Sequence, residues 1–262
     1  MKLNLDIGAC IYCGSTASPL SREHVLPRGL GGNLAPEEHS NALVLNRASC
    51  ESCRAITQKI EEKCLVSMMG PGRSKLGLRR KDRAPNSAAA TVRKLDGTAD
   101  ERNLDWNLVP GPVVLPAYYE PGEFSQNPLP EVAPWDAKII VVAPATRALA
   151  EPNDGVGVKL TVDSQVFAQM LAKIGLGVAV AVLGVDGFKP TVQELIISDP
   201  SDYGRWVGGD AGSDRKCPKS KELHSIRLTE RGGPNGAYVI VHIWLFAEFG
   251  GPRNYVVVGR NS

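Results

Sequence analysis

The longest regular hydrophobic pattern lies in the second half of the chain. Apolar side chains recur there every three to four positions, which predicts a helix that runs to about Leu183, with Asp163 as its N-cap. These apolar positions are Val166, Phe167, Met170, Leu171, Ile174 and Val178. Stretches rich in β-branched residues predict strands at 138–142, 156–162, 194–198, 225–228, 238–246 and 254–258. A hairpin turn is predicted at 250–253.

The first third of the chain has shorter patterns. Residues 20–26 and 41–45 are typical of extended segments, and a helix is predicted to follow Ser49. Its apolar face comprises Ile56, Ile60, Cys64 or Leu65, and Met68. Gly70-Pro-Gly72 is expected to end this helix.

Proline dominates the middle of the chain. Seven prolines lie between 110 and 134, and proline both fixes φ and removes a hydrogen-bond donor. We therefore expect an extended connector over 84–134, between an N-terminal module at 1–83 and an α+β domain of unknown type at 135–262. The predicted fold class of the whole chain is α+β.

Composition favours a soluble globular protein, with 43% hydrophobic and 22% charged residues. The longest apolar run, 174–185, is interrupted by glycine and too short to predict a membrane span. The first nine residues lack the apolar core of a signal peptide, so we expect a cytoplasmic protein.

Positive charge is concentrated just after the first predicted helix. Between Gly70 and Lys94 there are eight basic residues and one acidic residue, Asp82. A block of this kind suits contacts with nucleic-acid phosphates, although a solvated arm that binds nothing specific has the same composition. The basic residues of its first part are Arg73, Lys75, Arg79, Arg80, Lys81 and Arg83.

Four of the six cysteines form two matched pairs, Cys10-x-x-Cys13 and Cys50-x-x-Cys53. Two such pairs without a signal peptide favour one structural zinc ion held by four thiolates, with disulfides as the alternative. A metal also suits the composition, since Tyr12 is the sole aromatic residue among the first 105. A segment with so few large apolar side chains needs additional cross-links.

Glu23 and His24 lie between the two cysteine pairs. A carboxylate can ligate a divalent cation, and an imidazole can deprotonate a water molecule, which is the chemistry of metal-assisted hydrolysis. Neighbouring residues of a strand point to opposite faces, so both can serve one site only where the strand is distorted. A surface pair with no catalytic role is the alternative.

The order of these motifs resembles the HNH endonuclease superfamily over about residues 8–70. The resemblance consists of Cys-x-x-Cys, then Glu-His-x-x-Pro with Gly-Leu-Gly-Gly, then a second Cys-x-x-Cys that opens a helix. The similar branch of that superfamily has a ββα-metal (treble-clef) fold held by four zinc cysteines. The resemblance therefore implies a metal-dependent nuclease that hydrolyses phosphodiester bonds of nucleic acid, with DNA as the expected partner.

The resemblance also implies individual roles. Glu23 would ligate a catalytic divalent cation such as Mg²⁺, and His24 would be the general base. Cys10, Cys13, Cys50 and Cys53 would hold the structural zinc.

One position departs from the pattern of the superfamily. Arg54 stands where such enzymes carry an Asn or His ligand, and a guanidinium has only donors. Another oxygen ligand could serve, from Asn46, Thr57, Gln58 or Glu61, or Glu23 could hold the cation with phosphate and water alone. Arg54 could contact the scissile phosphate directly.

Two non-catalytic functions also remain open. The module could have lost cleavage and kept nucleic-acid binding, or it could be a zinc-stapled protein-interaction domain.

Overall fold

A computed structural model describes residues 4–17, 19–31, 43–78, 87–94, 96–105, 109–124, 135–142, 155–211, 220–233 and 236–261. The described part contains five α-helices and several β-sheets, which confirms the predicted α+β class. The helices are α1 (Glu51–Ser67), α2 (Gly70–Lys75), α3 (Ser164–Leu183), α4 (Gln193–Ile197) and α5 (Tyr203–Trp206).

The strands are β1 (Asn4–Asp6), β2 (Ser21–His24), β3 (Val44–Ser49), β4 (Ser87–Arg93), β5 (Ala99–Asp105), β6 (Pro112–Tyr118), β7 (Trp135–Val141), β8 (Gly155–Val158), β9 (Phe188–Pro190), β10 (Val207–Gly209), β11 (His224–Gly233), β12 (Gly236–Leu245) and β13 (Arg253–Asn261). Short 3-10 helices occupy Arg28–Leu30 and Ala247–Phe249.

Four sheets are formed by these strands. The N-terminal sheet has the order β1-β3-β2, and α1 follows its central strand. The largest sheet has the order β10-β13-β12-β11, with β9 also pairing with β13. The smaller sheets are β5-β4-β8 and β6-β7. The β11-β12 and β12-β13 pairs are antiparallel, as the predicted hairpin requires.

Helix α3 lies between the N-terminal module and the largest sheet, and glycine permits the close approach on both sides. A Cβ atom on Gly175 would lie 2.9 Å from Val258 of β13, and one on Gly177 would lie 3.0 Å from Val25 next to β2. Side chains from both halves of the chain belong to one hydrophobic cluster. The predicted domain boundaries stay predictions, but the segments that they separate share this core.

The predicted bounds of α3 are confirmed, and Asp163 caps it by accepting a 3.0 Å hydrogen bond from the Val166 amide. By length and composition α3 could also cross a membrane, with a mean hydropathy of 2.0 over its most apolar window. However, 78% of that window is buried inside the protein, and a buried core helix passes the same test.

The structure differs in three places from the predicted local structure. Residues 194–198 were predicted as a strand but fall within and just after helix α4, where an isolated apolar run fits either element. Gly70-Pro-Gly72 begins a second helix after a break at Met68 and Met69, because proline is tolerated in a first helical turn. The predicted extended connector contains three regular strands, β4, β5 and β6, and the prolines at the first and fifth positions of β6 leave Val113 and Leu115 fully buried.

Side chains of the second half reach main-chain carbonyls of the N-terminal module. Gln193 donates to Ile11 O at 2.7 Å, and His224 Nε2 lies 2.8 Å from Leu30 O. The other ring nitrogen of His224 accepts from the Phe246 amide at 3.1 Å. The Phe246 contact requires an unprotonated Nδ1, so the imidazole must be neutral and donate through Nε2. Burial lowers the pKa of His224 to about 4, although its bond to Leu30 opposes the shift.

Acid should therefore weaken the attachment of the two halves. A depressed histidine pKa means that protonation favours the unfolded chain, so the contribution is complete above pH 6.5 and is lost as pH falls towards 4. Between pH 7.5 and pH 5 we expect this to remove about 2 kcal/mol of the free energy of unfolding. Urea unfolding of the wild type and of His224→Gln between pH 7.5 and pH 5 measures it. If the free energies of unfolding of the wild type and of His224→Gln depended equally on pH, His224 would not be the cause of the loss in acid.

Candidate metal centre

The four cysteines of the two matched pairs meet at one point. All four Sγ atoms lie within 4.8 Å of one another, and Cys13 Sγ is 3.7 Å from Cys50 Sγ. A tetrahedral zinc site with Zn–S bonds of about 2.3 Å places sulfurs about 3.8 Å apart. The cluster therefore has the ligand type, number and spacing of a structural zinc site.

Backbone geometry brings the two pairs together. The first pair forms a tight turn in which the Gly14 amide donates to Cys10 O at 2.8 Å, with Gly14 at a φ of +73°. A 2.9 Å bond from the Ile11 amide to Ala48 O fixes this turn beside β3. The second pair lies at the start of α1, where Cys50 is the N-cap residue.

The thiols differ in their readiness to ionise. The Ser52 hydroxyl and the Cys53 amide lower the pKa of Cys50 to about 6. Burial raises the pKa values of Cys10 and Cys53. A bound cation would favour the thiolate at every position, so metal binding releases protons and depends on pH.

The Glu23 carboxylate, predicted to ligate a catalytic cation, is bound to an ammonium group. Glu23 is 6% exposed, and its Oε1 atom lies 2.7 Å from Nζ of Lys173 on α3. The same Nζ lies 2.6 Å from Glu61 Oε1 and donates to His24 O at 2.5 Å. The three donors of the ammonium group thus have three oxygen acceptors.

The charges of Lys173, Glu23 and Glu61 influence one another's ionisation within this cluster. Burial opposes the charge on Lys173, but the Glu23 and Glu61 carboxylates outweigh that effect and raise its pKa. Burial also raises the pKa of Glu61, against the influence of Lys173. Tyr12 lies close enough for both carboxylates to raise its pKa further, beyond the effect of its complete burial. The two carboxylates therefore favour the charged form of Lys173 at the point where their oxygen atoms converge.

The His24 side chain has a hydrogen-bond partner outside this cluster. A register irregularity between Ser21 and Glu23 distorts β2, as a shared site would require. Nevertheless, His24 Nε2 accepts a 3.1 Å hydrogen bond from Arg28 Nε, while Glu23 faces α3. The two side chains have different partners, in keeping with strand alternation.

Arg54 and its proposed substitutes lie on or near α1. The Arg54 guanidinium binds both carboxylate oxygens of Glu51 at 2.7 Å, and this exposed pair leaves it near solvent. Thr57 is buried and donates to Arg54 O, whereas Gln58 is exposed. Of the four candidate oxygen ligands, Glu61 is the one that shares a partner with Glu23.

Arg73 and Lys75, two described residues of the basic stretch, differ in their exposure to solvent. Arg73 was predicted to contact phosphate, but it is 8% exposed and donates to Gly29 O at 2.5 Å and to Leu65 O at 2.8 Å. Its guanidinium thus stabilises the fold, and that prediction is corrected. Lys75 is partly exposed, with its aliphatic stem packed against Gly111. Arg79, Arg80, Lys81 and Arg83 lie outside the described residues.

Comparison with protein-family models, with curated proteins and with solved structures finds no match to this chain.

Sequence reasoning missed Lys173, although the sequence carries a signal for it. Lys173 is the sole charged residue of α3, a helix of 20 residues. A lone charge on an otherwise apolar buried helix needs a partner of opposite sign. What the sequence could not show is which carboxylates supply that partner.

We expect about one zinc ion per chain and loss of that metal in Cys50→Ser, because the site then lacks one thiolate. The N-terminal module should unfold with it, since structural zinc contributes on the order of 10 kcal/mol to small domains. Elemental analysis and far-UV circular dichroism measure both effects. Cys64→Ala, which removes a buried thiol outside the cluster, is the control and should keep the metal. A folded, metal-free wild-type protein would contradict the prediction.

Proposed function

We propose that this chain is a zinc-stapled nucleic-acid-binding protein whose HNH-like segment does not cleave through a Glu23-bound metal. We infer the lack of cleavage through a Glu23-bound metal from the Lys173 ammonium group, which is bound to Glu23, Glu61 and the His24 carbonyl. An ammonium group and a divalent cation cannot occupy the same ligand set. Nucleic-acid binding is supported by the resemblance over residues 8–70 and by the basic stretch.

Burial supports the same conclusion. Side-chain exposure is 7% for Glu23 and 1% for Lys173, so a phosphodiester in solvent does not reach the carboxylate. Metal-assisted hydrolysis requires one ion to contact both the protein ligands and the reacting phosphate. The cluster instead joins β2, α1 and α3, which is a structural role.

The second candidate is a metal-dependent HNH-type endonuclease, with Glu23 and Glu61 as cation ligands and His24 as general base. The observation that favours it is the convergence of two carboxylates on one point from β2 and α1. This function requires Lys173 to leave and a hydrated Mg²⁺ ion to enter.

A nicking assay separates the two functions. We expect no cleavage of supercoiled plasmid by the wild type with Mg²⁺ or Mn²⁺. Cleavage that is lost in His24→Ala, by the factor of about 10²–10⁴ typical of a general base, would instead establish the endonuclease. The wild type and His24→Ala should contain equal amounts of zinc.

Lys173→Ser tests the position of the ammonium group directly. Leaving two buried carboxylates without their cation should cost about 3–5 kcal/mol of the free energy of unfolding. Mn²⁺ should restore part of this loss by binding the folded variant, and should not stabilise the wild type. Thermal unfolding with and without Mn²⁺ measures this. Lys63→Ser, which removes an exposed ammonium from α1, is the control and should show no effect of Mn²⁺.

The basic stretch should bind backbone phosphates. Neutralising Arg79, Arg80 and Lys81 together should weaken duplex binding by similar factors on unrelated sequences. The log–log salt dependence should flatten by up to about 0.9 for each phosphate that the variant no longer binds. Fluorescence anisotropy at several salt concentrations measures both. An unchanged slope would make the stretch a solvated arm.

A further inference from the structure

The outer face of the largest sheet carries a second group of side chains that the proposed function does not use. A pocket of about 480 Å³ lies there, across β11, β12 and β13. The side chains that matter for its chemistry are Arg227, Thr229, His242, Trp244, Arg253 and Tyr255. The lining includes two arginines and three rings but no acidic residue.

Strand register explains why these side chains share one face. His242 of β12 is directly opposite Arg227 of β11 and Tyr255 of β13. Two residues further along β12, Trp244 is opposite Arg253 of β13. Positions two apart point to the same side of a sheet, so the two rows form one surface. The opposite face packs against α3 through Val256 and Val258.

The rings are held in fixed orientations. Trp244 Nε1 donates to Gly251 O at 2.7 Å, and the Arg253 guanidinium stacks over the indole with its Cζ 4.4 Å from the ring centroid. The Tyr255 ring meets the His242 ring edge to face at 4.9 Å, and His242 Nε2 lies 2.8 Å from Thr229 Oγ1. These interactions restrict the rings before any ligand binds.

The two arginines lack carboxylate partners among the described residues. Other arginines of this sheet are paired, since Arg231 binds Glu120 and Arg260 binds Glu123. By strand and residue spacings, the Cα atoms of Arg227 and Arg253 lie about 12 Å apart, diagonally across the three strands. Two guanidinium groups at opposite edges of a ring-lined surface suit two phosphates of one strand that passes across the rings.

We propose that this face binds single-stranded nucleic acid, with a base stacked on the Tyr255 ring and with phosphates at Arg227 and Arg253. Rings that stack bases and cations that follow the backbone are the two components of single-strand recognition. A duplex hides its bases, so it offers the rings nothing to stack on. None of its residues belongs to the zinc cluster or to the basic stretch.

The test is fluorescence anisotropy of a labelled 12-nucleotide single strand, with the full-length zinc-loaded protein. We expect Tyr255→Ala to weaken binding about 5- to 100-fold, the range that corresponds to unstacking one base. We expect Arg227→Ala/Arg253→Ala to flatten the log–log salt slope by about 1.4, at 0.7 for each single-strand phosphate released. Lys189→Ala, which removes an exposed charge from β9 of the same sheet, should change neither quantity.

Two further experiments distinguish strand binding at this site from binding by the basic stretch and from binding of a free nucleotide. Neutralising Arg79, Arg80 and Lys81 should leave the effect of Tyr255→Ala intact, so this site can succeed even if the proposed function of the basic stretch fails. Competition by AMP or UMP at the affinity of the 12-mer would overturn the proposal in favour of a free nucleotide. Unchanged binding in both Tyr255→Ala and the double arginine variant, with native circular dichroism spectra, would overturn it as well.

Discussion

The arrangement of the molecule depends on the contacts that the Lys173 ammonium group makes. It joins β2, α1 and α3 through two carboxylates and one main-chain carbonyl, all buried or nearly so. Desolvating three charges is costly, and breaking such a cluster by removing one member is more costly still. The cluster thereby fixes the orientation of the N-terminal module on the central helix, which apolar packing alone would specify less strictly.

Two other constraints act with it. Four cysteines from the turn before β2 and from the start of α1 lie together where they could bind one metal ion, in a segment with few large apolar side chains. Gly175 and Gly177 allow α3 to approach a strand on each side, so one helix serves as the core of both halves. Hydrogen bonds from Gln193 and His224 to module carbonyls complete the attachment. The two halves of the chain are therefore joined through α3 and share one core.

The same interactions bear on function. In a metal-dependent nuclease, the carboxylate before the histidine must face a cation and its substrate. Here that carboxylate faces the protein interior, while His24 binds Arg28 on another side. The scaffold has meanwhile left a polar, ring-bearing sheet face open. The residues to which the resemblance assigns catalysis thus have partners within the fold, and the proposed single-strand site lies on another part of the molecule.

The sequence by itself determined the features that depend on local spacing. The cysteine pairs, the extent and cap of α3, the face of α1 and the three long strands of the largest sheet follow from periodicity and short motifs, which act within a few residues. Tertiary structure alone decided the partner of Glu23, because Lys173 lies far away along the chain and no local pattern links the two residues. It also decided that Arg73 is buried and that 194–198 is largely helical, since burial and packing override propensity in short segments.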